Sequence, residues 1–247
     1  MNSHDVIIEN PKDGTLLGLV PAGDFLAGDE KFKVTLPAFY LALHAVTNAQ
    51  YARFLSAARP SQADLEKWII LDSGCFVRAQ GSSYESYGGK ADHPVVKVSW
   101  YGAEAYCAWS GLRLPSELEW EKGSRGVDGR EYPWGKEWDQ TKCRNEENKG
   151  KEQTSGVWQY PQGQSPFGQY QMSGNVLEWC GDWYDSDAYK RYKAGNLTPP
   201  SSGVSRVVRG GSWYDGDSGC FRCAFRYFYR GPGGRYFCGG FRCARAL

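Results

Sequence analysis

The sequence predicts a single α+β domain in which loops outweigh regular structure, and three observations lead there. Alternating apolar residues open the chain as sheet, with Phe32, Val34 and Leu36 and then Phe39, Leu41 and Leu43 at every second position. Helical signals are few and short, each announced by a serine or threonine cap. From Gly126 onward turn residues dominate, including Asp128-Gly129, Pro133, Gly135, Asn148, Gly150, Pro161, Gly163, Pro166 and Gly168, with no helical periodicity between them. Two main helices, short twisted antiparallel strands and at least half the residues in loops are expected.

The elements follow in order. Residues 17–25 read as an extended segment turning at Pro21 and Gly23, and 31–43 as a second. Thr47 caps a helix that carries Tyr51, Phe54 and Leu55 at spacings of three and four and is closed by Pro60. The next stretch, about forty residues and rich in Gly, Ser and Tyr between 73 and 90, reads as loop. Ser99 caps a second helix with Ala103, Tyr106, Cys107 and Ala108 along one side, ending at Ser110-Gly111. Ser116 caps a third, with Glu119 in the capping-box position. Val176, Trp179, Trp183 and Tyr184 follow the Gly174-Asn175 turn, and residues 206–213 read as strand, turn, strand about Gly210-Gly211. No charged or proline-rich linker and no repeat divides residues 1–247, so one domain is favoured over two.

Composition excludes several function classes. With 247 residues, 41% apolar and 15% aromatic, the chain has side-chain surface for a large core. Its apolar runs fall far short of the about 20 residues of a membrane-spanning helix. The N-terminal residues lack the basic-then-apolar pattern of a secretory signal, which makes the cytoplasm the default expectation. A net charge of +1, from 29 basic and 28 acidic residues, gives no field for steering onto nucleic acid, and a monomer is expected. The eight cysteines are scattered, Cys220-x-x-Cys223 is not repeated at zinc-finger spacing, and His4, His44 and His93 stand far apart. Free or core cysteines are expected rather than a zinc or iron centre.

Several segments together carry a resemblance. His93-Pro94-Val95-Val96 leads into Val98-Ser99-Trp100 with Ala103, Tyr106 and Cys107, and Leu112-Arg113-Leu114-Pro115-Ser116-Glu117-Leu118-Glu119-Trp120-Glu121 follows. Tyr132-Pro133-Trp134-Gly135 comes next, then Ser173-Gly174-Asn175-Val176-Leu177-Glu178-Trp179, Arg209-Gly210-Gly211-Ser212-Trp213 and Gly240-Phe241-Arg242-Cys243. In this order they resemble the formylglycine-generating, or sulfatase-modifying-factor, form of the C-type-lectin-like fold over nearly the whole chain. Tryptophans whose ring N–H reaches loop carbonyls are what so loop-rich a scaffold needs. The fold alone does not fix the function.

For chemistry the resemblance points two ways. Copper-dependent formylglycine-generating enzymes carry two cysteines after the Gly-Gly-Ser-aromatic segment, and the matching positions here are Asp215 and Cys220. One carboxylate and one thiol do not make a two-thiolate Cu(I) site, and Cys223 and Cys238 lie at the wrong spacing. The branch that makes carbon–sulfur bonds with non-haem iron keeps its ligands in a separate helical domain without counterpart in these residues. No catalytic residue or catalytic cofactor is therefore expected, and the chain reads as a non-enzyme; the alternative is a formylglycine-generating-enzyme-like oxidoreductase or another small-molecule enzyme on the same scaffold. The resemblance also suggests structural calcium, with oxygens from Asn175, the Val176 carbonyl and Glu178. Equally, Asn175 ties a turn and Glu178 pairs with an arginine; both readings stand at this point.

The C-terminal tract carries the main functional signal. Lys, Glu, Gln, Met and Trp make up roughly one residue in four or five up to Trp213 and none of residues 214–247, a gap that drawing at the earlier rate produces roughly once in ten thousand trials. Substituting only the adenines of AAY asparagine codons never yields those five residues. Tyr214, Asp215, Gly216, Ser218, Gly219, Phe225, Tyr227, Phe228, Tyr229, Gly231, Gly233, Gly234, Tyr236, Phe237, Cys238 and Gly239 come from the permitted set. They interleave with residues that read as scaffold: Arg222, Ala224, Arg226, Pro232, Arg235 and Gly240-Phe241-Arg242. This interleaving resembles the variable proteins of diversity-generating retroelements, whose lectin-like domains end in a region altered by adenine-directed copying. The resemblance implies a binding protein with residues 214–241 as the variable ligand-binding region, recognising a protein or other macromolecular ligand. Tyr and Phe supply contact area at low entropic cost, while Gly and Ser let the backbone conform. Six arginines and no lysine in 214–247 suit an anionic ligand better than nucleic acid. The permitted-set side chains, Tyr227 and Tyr236 included, are expected to face solvent, with Arg222, Arg226, Arg235 and Arg242 anchoring the loops and Trp213 and Phe241 plugging the core. A core strand is the competing reading for Phe228 and Phe237.

Overall fold

The computed structural model describes residues 6–227 and 231–247. Its elements are β1 (Ile7–Glu9), β2 (Leu16–Val20), β3 (Gly23–Ala27), β4 (Phe32–Leu36), β5 (Phe39–Ala42), α1 (Asn48–Ala58), α2 (Gln62–Trp68), β6 (Val77–Gln80), β7 (Ser83–Ser86), α3 (Trp100–Ser110), α4 (Glu117–Arg125), β8 (Leu177–Trp183), α5 (Ala188–Lys193), β9 (Arg206–Arg209), β10 (Gly239–Gly240) and β11 (Ala244–Ala246). This is the expected loop-rich α+β architecture, with five α-helices among the described residues where two main ones were expected. The additional short ones have physical reasons to escape notice. α2 spans only seven residues, so its apolar face is a single pair, Leu65 and Trp68, half-buried against the core, although Ser61 caps it by accepting from the Asp64 N–H. α5 is six residues long and has no side-chain cap. The stretch read as loop also holds a hairpin, β6 with β7.

Local signals explain the three foreseen helices. Thr47 and Gln50 form a capping box at α1, Ser99 accepts from the Gly102 N–H at α3, and Ser116 and Glu119 form a second box at α4. Gly111 ends α3 at φ 74°, a left-handed conformation that glycine adopts without penalty. Ser116→Ala removes one half of its box and is expected to cost about 1 kcal/mol, read from a denaturant midpoint.

Two sheets pin the C-terminal tract at its far end. The four-stranded sheet has order β1-β2-β5-β11, and the three-stranded one β10-β8-β9, with β10 parallel to β8 and β9 antiparallel to it. Phe241 lies between these strands, fully buried, with its ring 5.4 Å from Tyr106 and 6.2 Å from Tyr51. Trp213 is buried at the near end of the tract. Both plugs are buried, as expected, and the described residues between them are irregular apart from a 3-10 turn at Ser218–Phe221 and β10.

Candidate ligand-binding surface

The floor of this surface is a buried charge network. Arg209, at the end of β9, donates to Glu121 at 2.7 Å, to the Cys223 and Ala224 carbonyls at 2.9 and 3.2 Å, and to the Tyr189 hydroxyl at 3.1 Å. Arg125 also donates to Glu121, at 2.7 Å. Burial alone raises the Glu121 carboxyl, but Arg209, Arg125, the Tyr189 hydroxyl and the Gly28 N–H together hold it below the usual range. Neither Glu121 nor Arg209 stood out in the sequence as more than motif residues; their spacing in the chain carries no hint that they meet.

The interleaved arginines fasten the tract to this floor. Arg226 makes a two-pronged pair with Glu117 and donates to the Asp185 carbonyl. Arg222 reaches Asp29 at 2.5 Å, and Arg235 donates to the Glu66 carbonyl. Arg242 is wholly buried, donating to both Glu178 oxygens at 2.6 and 2.8 Å and to the Ala42 and Tyr170 carbonyls. All four therefore bind carbonyls or carboxylates, as expected of anchors.

Between the anchors, four described positions of the permitted set are exposed, seven are half-buried, with Phe225 and Tyr236 packed against the core, and three are buried. Tyr214 and Phe237 are 55% and 42% exposed and meet edge to face at 5.1 Å over Trp213. The Lys149 ammonium sits 5.4 Å from the Tyr214 ring centre and 5.2 Å from that of Trp213. Lys149 was not foreseen, because it comes from a loop far upstream. Gly216 and Gly233 are exposed, and Asp215, Ser218, Gly219, Phe225, Gly231, Gly234 and Tyr236 are half-buried. A Cβ added at Gly231 or Gly233 meets no atom within 4 Å, so these positions accept a side chain. Gly239 differs: it is buried in β10, and a Cβ there meets Tyr236 at 3.3 Å.

Three expected surface positions are corrected. Tyr227 is 5% exposed because its backbone bridges Val208 of β9, turning the ring inward against Phe225. Cys238 is buried where its carbonyl accepts from Leu177, and Gly239 is held in the parallel pairing with β8. Phe228 and Tyr229 lie outside the described residues. The Tyr227 hydroxyl lies beside the Cys220 thiol and the Asp215 carboxylate yet meets neither in a well-aligned hydrogen bond. Burial first, then Asp215 and Cys220, push its phenol up. Tyr227→Phe is accordingly expected to raise stability by about 1 kcal/mol, whereas Tyr227→Ser costs about 3 kcal/mol by leaving a cavity; urea titration of the two variants checks both signs.

The positions that the resemblance links to metals have hydrogen-bond partners within the protein. At the copper-cysteine positions Asp215 accepts from the Ser212 N–H and hydroxyl, and Cys220 is a half-buried thiol pushed up first by burial and then by Asp215 and Asp217. Cys223 is buried and accepts from the Ser124 hydroxyl, so it does not complete a pair with Cys220. Asn175, at φ 66°, spans Ser155 with its side-chain oxygen and nitrogen, while the Glu178 oxygens are taken by Arg242 and the Trp120 ring N–H. Among the described residues no group of three or more His, Cys, Asp or Glu side chains is placed to hold a metal ion.

Comparison with known proteins places this geometry. The chain is 40% identical over 215 residues to the serine/threonine-protein kinase Pkn1 of Chlamydia trachomatis serovar L2, a match covering 86% of this chain and 34% of the kinase. The chain thus spans about a third of the length of that relative. It is 32% identical over 258 residues to the formylglycine-generating enzyme of Streptomyces coelicolor, covering 82% of this chain and 80% of the enzyme. Among solved structures, PvdO from Pseudomonas aeruginosa superposes with a TM-score of 0.78 at 24% identity over 100% of both chains, and Treponema denticola variable protein 1 with 0.71 at 21% over 98% of both. These likenesses bear out the fold and its resemblance to both the oxidase and the variable-protein forms. The expectation of a non-enzyme is overturned: a relative matched along four-fifths of its length is an enzyme, so catalysis is within the capacity of this scaffold. No helix among the described residues is long and apolar enough to cross a membrane. With the sulfatase-modifying factor enzyme 1-like domain model matching residues 5–247, the chain belongs to that family.

Proposed function

We propose that the tract 214–237 is a diversified contact surface recognising a protein or other macromolecular ligand. One observation carries this reading: within a single stretch, Tyr214, Gly216, Gly233 and Phe237 face solvent while Arg222, Arg226 and Arg235 are tied to the framework. Contact chemistry is thereby separated from structural support, so residues at the outward positions can change without removing a buried partner. Tyr214 and Phe237 supply a rigid apolar centre, with Lys149 beside it as polar rim. The likeness to a protein named a variable protein supports the reading at the level of fold. The test is a display library in which Tyr214, Gly216, Ser218, Gly231, Gly233 and Phe237 are drawn from adenine-substituted AAY codons. Selection on an immobilised protein is expected to return folded, ligand-specific members; a library that is mostly unfolded overturns the proposal.

A second reading is favoured by a specific contact. Cys220, at the position matching an oxidase cysteine, is part-exposed and shares its surroundings with Asp215 and Tyr227. A thiol-directed oxidoreductase would use Cys220 to engage a substrate cysteine. Incubating the protein and its Cys220→Ser variant with a cysteine-containing peptide, copper and oxygen distinguishes the readings: turnover lost in the variant supports catalysis, and no turnover removes this form of it.

A further inference from the structure

Away from the tract, the end of the β8–β9 pair holds an arginine between two indoles. Arg206 lies opposite Trp183 in the strand register, and its guanidinium carbon is 3.5 Å from the Trp183 ring centre and 3.6 Å from that of Trp100. One nitrogen, Nη1, donates to the Gly181 carbonyl at 2.6 Å; neither other nitrogen has a hydrogen-bond partner among the described residues. No carboxylate comes within 4.0 Å of it among those residues, so the cation is held in place by stacking, with Glu104 and Asp182 acting on it only through space. It borders a groove of about 470 Å³, ample for a small organic ligand.

The rest of the groove narrows the ligand's chemistry. Leu112, Leu114 and Pro200 give it an apolar wall. Arg113 is also on the wall, but Glu119 neutralises it through two bonds of 2.6 Å. Glu104, on the exposed side of α3, has no ion-pair partner among the described residues. The groove therefore offers one cation and one anion, close enough to act on each other through space but joined in no direct ion pair, and an apolar surface. A simple anion meets Glu104 as a repelling charge, and a simple cation meets Arg206.

We propose that this groove binds a free apolar α-amino acid as its zwitterion, with the carboxylate toward Arg206, the ammonium toward Glu104 and the side chain against Leu112, Leu114 and Pro200. The site is separate from the tract 214–237 and does not depend on its function. The test titrates the whole chain with L-phenylalanine, 3-phenylpropionate, which lacks the ammonium, and phenethylamine, which lacks the carboxylate, following the Trp100 and Trp183 indole N–H signals by NMR. L-Phenylalanine is expected to bind at least about tenfold more tightly than either analogue, because each analogue leaves one charge unmatched. Glu104→Gln, an exposed change, is expected to erase the roughly tenfold preference over 3-phenylpropionate. Arg206→Lys is expected to abolish binding, and the Glu104→Gln result stands independently should that variant fail to fold. Equal binding of the three compounds, an unaltered preference in Glu104→Gln, no saturation, or shifts confined to other indoles overturns the proposal.

Discussion

Arg209→Ala is expected to cost on the order of 3–5 kcal/mol and to leave little folded protein at 37 °C. The side chain is wholly buried and joins three layers at once: Glu121 from α4, the Tyr189 hydroxyl from α5, and two carbonyls at the base of the tract. Its removal leaves Arg125 as the one cation paired with Glu121, beside the Tyr189 hydroxyl and the Gly28 N–H, and strips the Cys223 and Ala224 carbonyls of a donor. Those carbonyls sit directly before Arg226, so the loss reaches the loop that presents the surface. Arg209→Lys keeps the charge but not the fork, and one ammonium does not reach both carbonyls and the carboxylate. It is therefore expected to destabilise nearly as much. Urea denaturation of both variants measures this, and a loss under about 1 kcal/mol shows that the network is dispensable.

The second large effect is a pH dependence centred on Asp182. Burial, with Glu117 adding to it, pushes this carboxyl up to about 7, while the Glu117 N–H it accepts from and Arg226 pull the other way. The folded state thus holds a proton that the unfolded chain, titrating near 3.9, gives up. A group raised on folding contributes stability that is fully present below the unfolded value and is lost as pH rises through the folded one. The loss accumulates between about pH 4 and 7 and reaches on the order of 4 kcal/mol. Asp182→Asn removes the titration while its amide oxygen still accepts from Glu117. The variant should match the natural chain near pH 4 and exceed it increasingly up to pH 7, with a constant difference above. Parallel stability curves across that window rule the effect out.

How much of this was legible in the sequence follows from how local each signal is. The boxes at Thr47 and Ser116 are complete within four residues, so the cap and its partner are read together. The arginine anchors were legible in kind, since a cation amid Gly and Tyr needs a partner. Their partners were not, because Asp29, Glu66 and Glu117 are far away in the chain. α2 left little to read beyond its cap, as seven residues with one apolar pair, Leu65 and Trp68, are too short to show a period. Tyr227 was misplaced for a related reason: in an irregular loop no alternation says which side chain turns inward, and one bridge to Val208 decides it. Enzymatic capacity was underestimated because it was judged from two positions, Asp215 and Cys220, whereas the likeness to an enzyme extends over most of the chain. Glu178 shows the same limit, since its partner Arg242 stands 64 residues further along the chain and no local spacing joins them.

The central claim is that the surface at 214–237 changes freely above a fixed floor. A combined Tyr214→Ser, Gly231→Tyr, Gly233→Tyr and Phe237→Ser chain replaces both exposed rings and fills both open glycine positions. Its thermal and urea unfolding, set beside that of Arg242→Ala, measures the claim directly. The combined variant is predicted to stay within about 1 kcal/mol of the natural chain, while the single buried change costs at least about 3 kcal/mol. A combined variant as destabilised as Arg242→Ala contradicts the account, because the tract is then core and not a surface built to vary.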